Sequence, residues 1–140
     1  MPSPLRKLAA ALCGLSLASD VAAADLTVEV RGLANERGTV NVALFDKAEN
    51  FTKTALVAES APATVKPAVL VFRNVAPGSY ALAAFHDANS NGKLDTNMLG
   101  LPTEKYGFSR DAMGAFGPPR FDAAKITVGK DNLSIIINLR

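Results

Sequence analysis

The chain has 140 residues, with 15 Lys plus Arg against 13 Asp plus Glu, one cysteine and one histidine. That length suits a single domain with a modest core. Its basic residues are scattered without a stripe or run, which argues against a surface for nucleic acid or anionic membrane, and one histidine with one cysteine cannot fill a zinc tetrahedron.

At the start of the chain, Arg6 and Lys7 precede an uncharged apolar run over residues 8–17, and Ala22, Ala23 and Ala24 follow. Positive charge, a short apolar core and small residues, in that order, read as a cleavable secretory signal too short to span a bilayer. The competing reading, a buried N-terminal helix, would want a polar face that the run does not have. The cut is expected between Ala24 and Asp25, with Ala23/Ala24 as the alternative. Cys13 falls inside this segment and follows Leu12 rather than a small residue, so a lipid anchor is not expected and the mature chain has no thiol. The expected organisation is a signal over residues 1–24 and one domain over residues 25–140, in the periplasm or secreted. No second apolar stretch reaches spanning length.

Residues 26–30 alternate as Leu26, Val28 and Val30 around Thr27 and Glu29, and residues 39–44 as Val40, Val42 and Leu44 around Thr39 and Asn41. Period two marks a half-buried strand. Residues 45–58 leave room for one helical turn. Residues 68–72 are apolar throughout and read as a more central strand. Residues 124–128 give a short candidate, and Ile135, Ile137 and Leu139 share a face near the C-terminus. Turn-forming residues at 35–38, 76–79 and 129–132 are expected to close a first, a middle and a last strand pair. The pattern predicts an all-β, antiparallel sandwich of six to seven strands, prealbumin- or immunoglobulin-like, with one long irregular loop. That loop lies between Asp87 and Ala124. It is rich in glycine and proline, yet it carries Met98, Leu99, Leu101, Tyr106, Phe108, Met113 and Phe116. So much apolar content belongs to a segment that folds over one end of the sandwich.

The loop opens on DANSNGKLD, residues 87–95. Oxygen-bearing side chains fall at positions 1, 3 and 5, glycine at 6 and a carboxylate at 9, which is the spacing that wraps hard oxygen ligands around calcium. On that template Asp87, Asn89 and Asn91 give side-chain oxygens, Lys93 its backbone carbonyl and Asp95 a further oxygen, while Leu94 turns inward. Position 12, a bidentate glutamate in an EF-hand, is Met98 here. Glu104 is the expected substitute ligand and Asn97 the next, and so few carboxylates imply weak binding, ~10⁻⁴ to 10⁻³ M. The competing reading is a metal-free turn in which Asp and Asn side chains cap their own backbone.

Tyr106 and Phe108 flank Gly107. They line a shallow groove for a ligand or else plug the end of the sandwich. His86 shares a strand face with Tyr80, Leu82 and Ala84, where a hydrogen-bonded structural role competes with catalysis.

The string FRNVAPGSYALAAFHDANSNGKLDTNMLGLPTEKYGFS at residues 72–109, with GTVNVALFD at 38–46 and FDAAKITV at 121–128, resembles the exported bacterial proteins grouped as domain-of-unknown-function family 2141. The phrase NVAPGSYAL is also similar to prealbumin-like and carboxypeptidase-regulatory-like sandwich modules. The resemblance implies an antiparallel sandwich in a periplasmic or secreted setting and carries no activity with it. Hydroxyisourate hydrolases, which share the prealbumin-like fold, use several histidines and end in Tyr-Arg-Gly-Ser. This chain ends Ile-Asn-Leu-Arg and has one histidine, so their activity does not transfer. The expectation is a non-catalytic binding or accessory domain with a calcium-stapled loop, meeting an envelope protein, a glycan or a small molecule. The alternatives are a small hydrolase centred on His86 and a structural partner in an envelope complex.

Overall fold

A computed structural model describes residues 22–64 and 67–140, so the signal read at residues 1–24 lies almost wholly outside the described residues. The strands, in chain order, are β1 (Ala24–Arg31), β2 (Thr39–Phe45), β3 (Val57–Pro62), β4 (Ala68–Val75), β5 (Gly78–Asp87), β6 (Tyr106–Phe108), β7 (Ile126–Val128) and β8 (Leu133–Asn138). One sheet runs β4-β1-β8 and the other β3-β2-β5-β6, with β7 also on β5.

Alternation dictates how the two sheets face. Leu26, Val28 and Val30 of β1 meet Val40, Val42 and Leu44 of β2, and Leu70, Phe72, Leu82, Ala84 and Ile137 complete one buried layer. A second apolar cluster covers the outer face of the larger sheet. There Phe45, Phe51, Ala81, Phe108 and Ala124 are buried, with Phe121 and Tyr106 packed against them. Small residues at Ala81 and Ala83 leave room for the aromatic rings above them. Phe51 meets Phe45, Phe108 and Phe121 edge to face, at centroid distances of 5.3, 5.9 and 5.9 Å, an arrangement the ring quadrupoles favour.

The all-β sandwich is as expected, but it has eight strands among the described residues rather than six to seven. β6 interrupts the loop expected between Asp87 and Ala124, and several connections differ. The turns at 35–38, 76–79 and 129–132 do not close strand pairs. β1 pairs with β4 and β8, β2 with β3 and β5, and β7 with β5. Each of the three turns therefore carries the chain across from one sheet to the other. Turn chemistry fixes a reversal of direction, whereas burial of the apolar faces decides the strand's neighbour. β1 and β8 run parallel, from Leu26↔Leu133 to Arg31↔Asn138. β4, read as central, is an edge strand with Val69 exposed.

The helical turn at residues 45–58 is a single 3-10 turn, Ala48–Asn50, and β3 follows it. β3 is exposed along nearly its whole length, so no apolar period announces it. The candidate strand at 124–128 is split between the one-turn helix α1 (Phe121–Ala124) and β7. No helix among the described residues is long and apolar enough to cross a membrane.

Two features position the site. Gly38 faces Asp87 so closely that a Cβ there would lie 1.9 Å from the Asp87 carbonyl oxygen. Its φ of +71° is likewise one that glycine accepts most readily. On the other flank, the amides of Tyr106 and Arg140 exchange hydrogen bonds at 3.2 and 2.9 Å, tying the base of the loop to the strand end beyond β8.

Candidate functional site

The loop leaves the sandwich at Asp87, the last residue of β5, which is only 1% exposed. A buried carboxylate needs donors, and the next turn supplies them. Oδ1 accepts the Asn91 backbone N–H at 3.1 Å and Oδ2 that of Gly92 at 2.7 Å. The turn closes because Ser90 and Gly92 both take positive φ.

The side chains of this turn then converge on Asp95. Asn89 Nδ2 donates to Asp95 Oδ2 at 2.7 Å, and Asn91 Nδ2 donates to Asp95 Oδ1 at 2.6 Å. The amide oxygens point back to the chain: Asn89 Oδ1 accepts the Asn91 N–H at 3.3 Å and Asn91 Oδ1 the Lys93 N–H at 3.0 Å. Glu104 joins from the far side, its Oε2 accepting the Asp95 N–H at 3.3 Å. Hydrogen bonds from Asn91, and next from Asn89, hold the Asp95 carboxyl below its usual range. Burial pushes the Glu104 carboxyl up, and the nearby charges of Asp95 and Asp87 add to it.

Beyond Asp95 the chain forms a small finger that the sequence reading did not find. Thr103 N–H donates to Asp95 O at 2.8 Å, Asn97 N–H to Leu101 O at 2.8 Å, and Thr96 and Pro102 form an antiparallel bridge. Asn97 is not turned toward Asp95. Its Oδ1 caps the finger's tip by accepting the N–H groups of Leu99 and Leu101 at 2.9 and 3.1 Å. Gly100, at φ +77°, completes the turn. At that tip Met98 is fully exposed (103%), with Leu99 and Leu101 also open to solvent. The legible signal was Asn97 three residues before Gly100.

Of the residues singled out in the sequence, Asp87, Asn89, Asn91, Asp95 and Glu104 thus gather in one cluster. Lys93 lends its backbone N–H to Asn91, and its ammonium lies near enough to Asp95 to help lower that carboxyl. Leu94 is half-buried. The donors are hard oxygens and amides, the set calcium takes. The carboxylates do not suffice alone: among the described residues no three or more His, Cys, Asp or Glu side chains form a group able to hold a metal. A cation here would draw on the amide oxygens, so Asn89 and Asn91 would each rotate to face it with oxygen rather than nitrogen.

Tyr106 and Phe108 lie in β6, which pairs with β5. Phe108 is buried in the outer aromatic cluster, and Tyr106 packs edge to face on it at 5.9 Å. His86 is 1% exposed, and both ring nitrogens are engaged: Nδ1 accepts the Ala34 N–H at 3.3 Å, and Nε2 lies 2.7 Å from the Arg37 carbonyl. That pair of partners fits one neutral tautomer, with the proton on Nε2. The ring staples the β1–β2 connection to β5. Two surface hollows, of about 480 and 360 Å³, are lined by residues 29–33 with Pro67 and by residues around β3 and β4, away from the loop.

Two sheets packed face to face, with a side-chain-organised loop at one end, define a β-sandwich domain. The chain belongs to the DUF2141 family, described as an uncharacterized protein conserved in bacteria, which it matches over residues 28–136. No curated protein and no solved structure matches it.

Proposed function

We propose that the protein is an exported, extracytoplasmic binding or accessory module whose working surface is the loop of residues 87–105, stapled by calcium. The observation that carries this reading is the meeting of Asp95 and Glu104 beside two carboxamides, with no ion pair to either carboxylate among the described residues. Like charges held together raise each other's energy, and a cation relieves that cost. Asp87, Asn89, Asn91, Asp95 and Glu104, with the Lys93 carbonyl, would hold it. The ion would supply positive charge at the stem of the finger, and the finger would offer its apolar tip to an envelope partner. The non-catalytic reading is supported by His86, which has no free ring nitrogen with which to take a proton.

Thermal unfolding of the purified protein in EDTA and then in millimolar calcium tests this. Calcium at about ten times its dissociation constant, which millimolar concentrations reach for so weak a site, stabilises by about 1.4 kcal/mol, a few degrees in this size class. The rise should be absent in magnesium and in an Asp95→Ala variant. A melting temperature indifferent to calcium would leave a hydrogen-bonded turn in place of a metal site.

A further inference from the structure

Asn91 precedes Gly92, and none of the other eight asparagines precedes a glycine. An asparagine side chain closes most easily on the next backbone nitrogen when that residue has no Cβ to obstruct it. Around Gly92 a Cβ would meet nothing within 4 Å, so the site is open to water. Yet the loop ties down each group the closure requires. The Gly92 N–H is committed to Asp87 Oδ2 at 2.7 Å, and Asn91 Nδ2 to Asp95 Oδ1 at 2.6 Å. Asn91 Oδ1 accepts from Lys93 at 3.0 Å. With both ends of its amide held, the side chain cannot turn its carbon toward the Gly92 nitrogen without giving up these bonds.

We propose that Asn91 is a guarded deamidation site, protected while Asp87 and Asp95 hold the loop and the first asparagine to convert once they release it. In the reaction the Gly92 nitrogen loses its proton and bonds to Asn91 Cγ, while the Cγ–Nδ2 bond breaks. The departing nitrogen takes up a proton equivalent to the one Gly92 gave and leaves as ammonia. One water then opens the cyclic imide at either carbonyl, giving aspartate or isoaspartate. No reactant besides water is required.

Conversion also prevents the loop from closing again as before. The product carboxylate would stand where an amide donor faced Asp95 Oδ1, so acceptor meets acceptor and negative charge meets negative charge. The isoaspartate form adds a methylene to the backbone as well. This latch does not depend on a bound cation, so its test is run in chelator.

Purified protein would be held at neutral pH with EDTA, one sample folded and one in urea, and followed by peptide mapping. In urea, Asn91 should convert ahead of every other asparagine. In the folded sample its conversion should be at least about tenfold slower, because only the locally opened fraction reacts. The variant Asn91→Asp carries the product directly, and its Gly92 and Lys93 amides should exchange hydrogen about tenfold faster than in the parent. Equal rates in the folded and unfolded samples would overturn the guarding, and earlier conversion of another asparagine would overturn the site. Unchanged exchange in Asn91→Asp would overturn the latch.

Discussion

Val28 of β1 and Val42 of β2 are buried in one apolar layer that needs no polar partner, while Asp87 is equally buried and is held by two backbone N–H groups. The sandwich body rests on area removed from water, spread over many residues of similar chemistry. The loop from Asp87 to Tyr106 rests on a few side chains, each making a different bond, and it leaves Met98, Leu99 and Leu101 in solvent. One region should therefore respond to lost volume and the other to lost charge or lost donors. The contrast also explains how a segment without regular strands can hold one shape: carboxylates and carboxamides satisfy the backbone that a ladder would otherwise satisfy.

Cutting volume from the body should give the largest effect. Phe72→Ala empties a fully buried ring site and is expected to cost about 3–5 kcal/mol in denaturant unfolding. A smaller loss would mean that the sheets collapse into the gap. Next comes the junction of the two regions. Asp87→Ala strands two N–H groups and is expected to cost about 1–3 kcal/mol, with new proteolytic cleavage confined to residues 88–105. Cleavage spread through the sheets would show that loop and body are not separable.

Charge in the loop is a finer test. Glu104 has a folded-state pKa above its usual 4.5, so its contribution to stability is full below that value and is lost as pH rises through the folded value. Asp95 is depressed below 3.8, so its contribution is present above that value and is lost as pH falls through the folded one. Glu104→Gln should abolish the first trend and keep the second. It should stabilise the protein at neutral pH in chelator by about a few tenths of a kcal/mol after solvent screening, read from unfolding curves across the acid range. The smallest effect belongs to the finger's tip, where Met98→Ser should change stability by less than about 0.5 kcal/mol. A larger loss would mean that the tip is packed rather than displayed.

Much of the body was legible because burial writes a period of two into β1, β2 and β8. β3 was not, since a strand exposed on nearly every residue has no apolar face to read. Strand neighbours were misread for a related reason: the sequence at 35–38 or 76–79 specifies a turn and not the sheet it leads to. In the site, oxygen spacing singled out Asp87, Asn89, Asn91 and Asp95, and they do gather. Asn97, a ligand candidate by spacing, caps a hairpin instead, because its role depends on Thr96 meeting Pro102 across the finger. Glu104 stands nine residues from Asp95, outside any local spacing rule, and only the fold closes that distance.

The parallel pairing of β1 with β8 has a kinetic side. The Asp25 N–H reaches Asn132 Oδ1 across 107 residues, so the middle strand of the smaller sheet receives one of its two neighbours last. Contacts so distant in sequence slow folding, because loop-closure entropy is spent before they form. Until β8 arrives, β1 presents an unpaired edge carrying Val28 and Val30, a template for the wrong partner. Synthesis that stalls before residue 133 would leave a chain with most of its core residues and no completed second sheet, which is the species a protease or chaperone would meet.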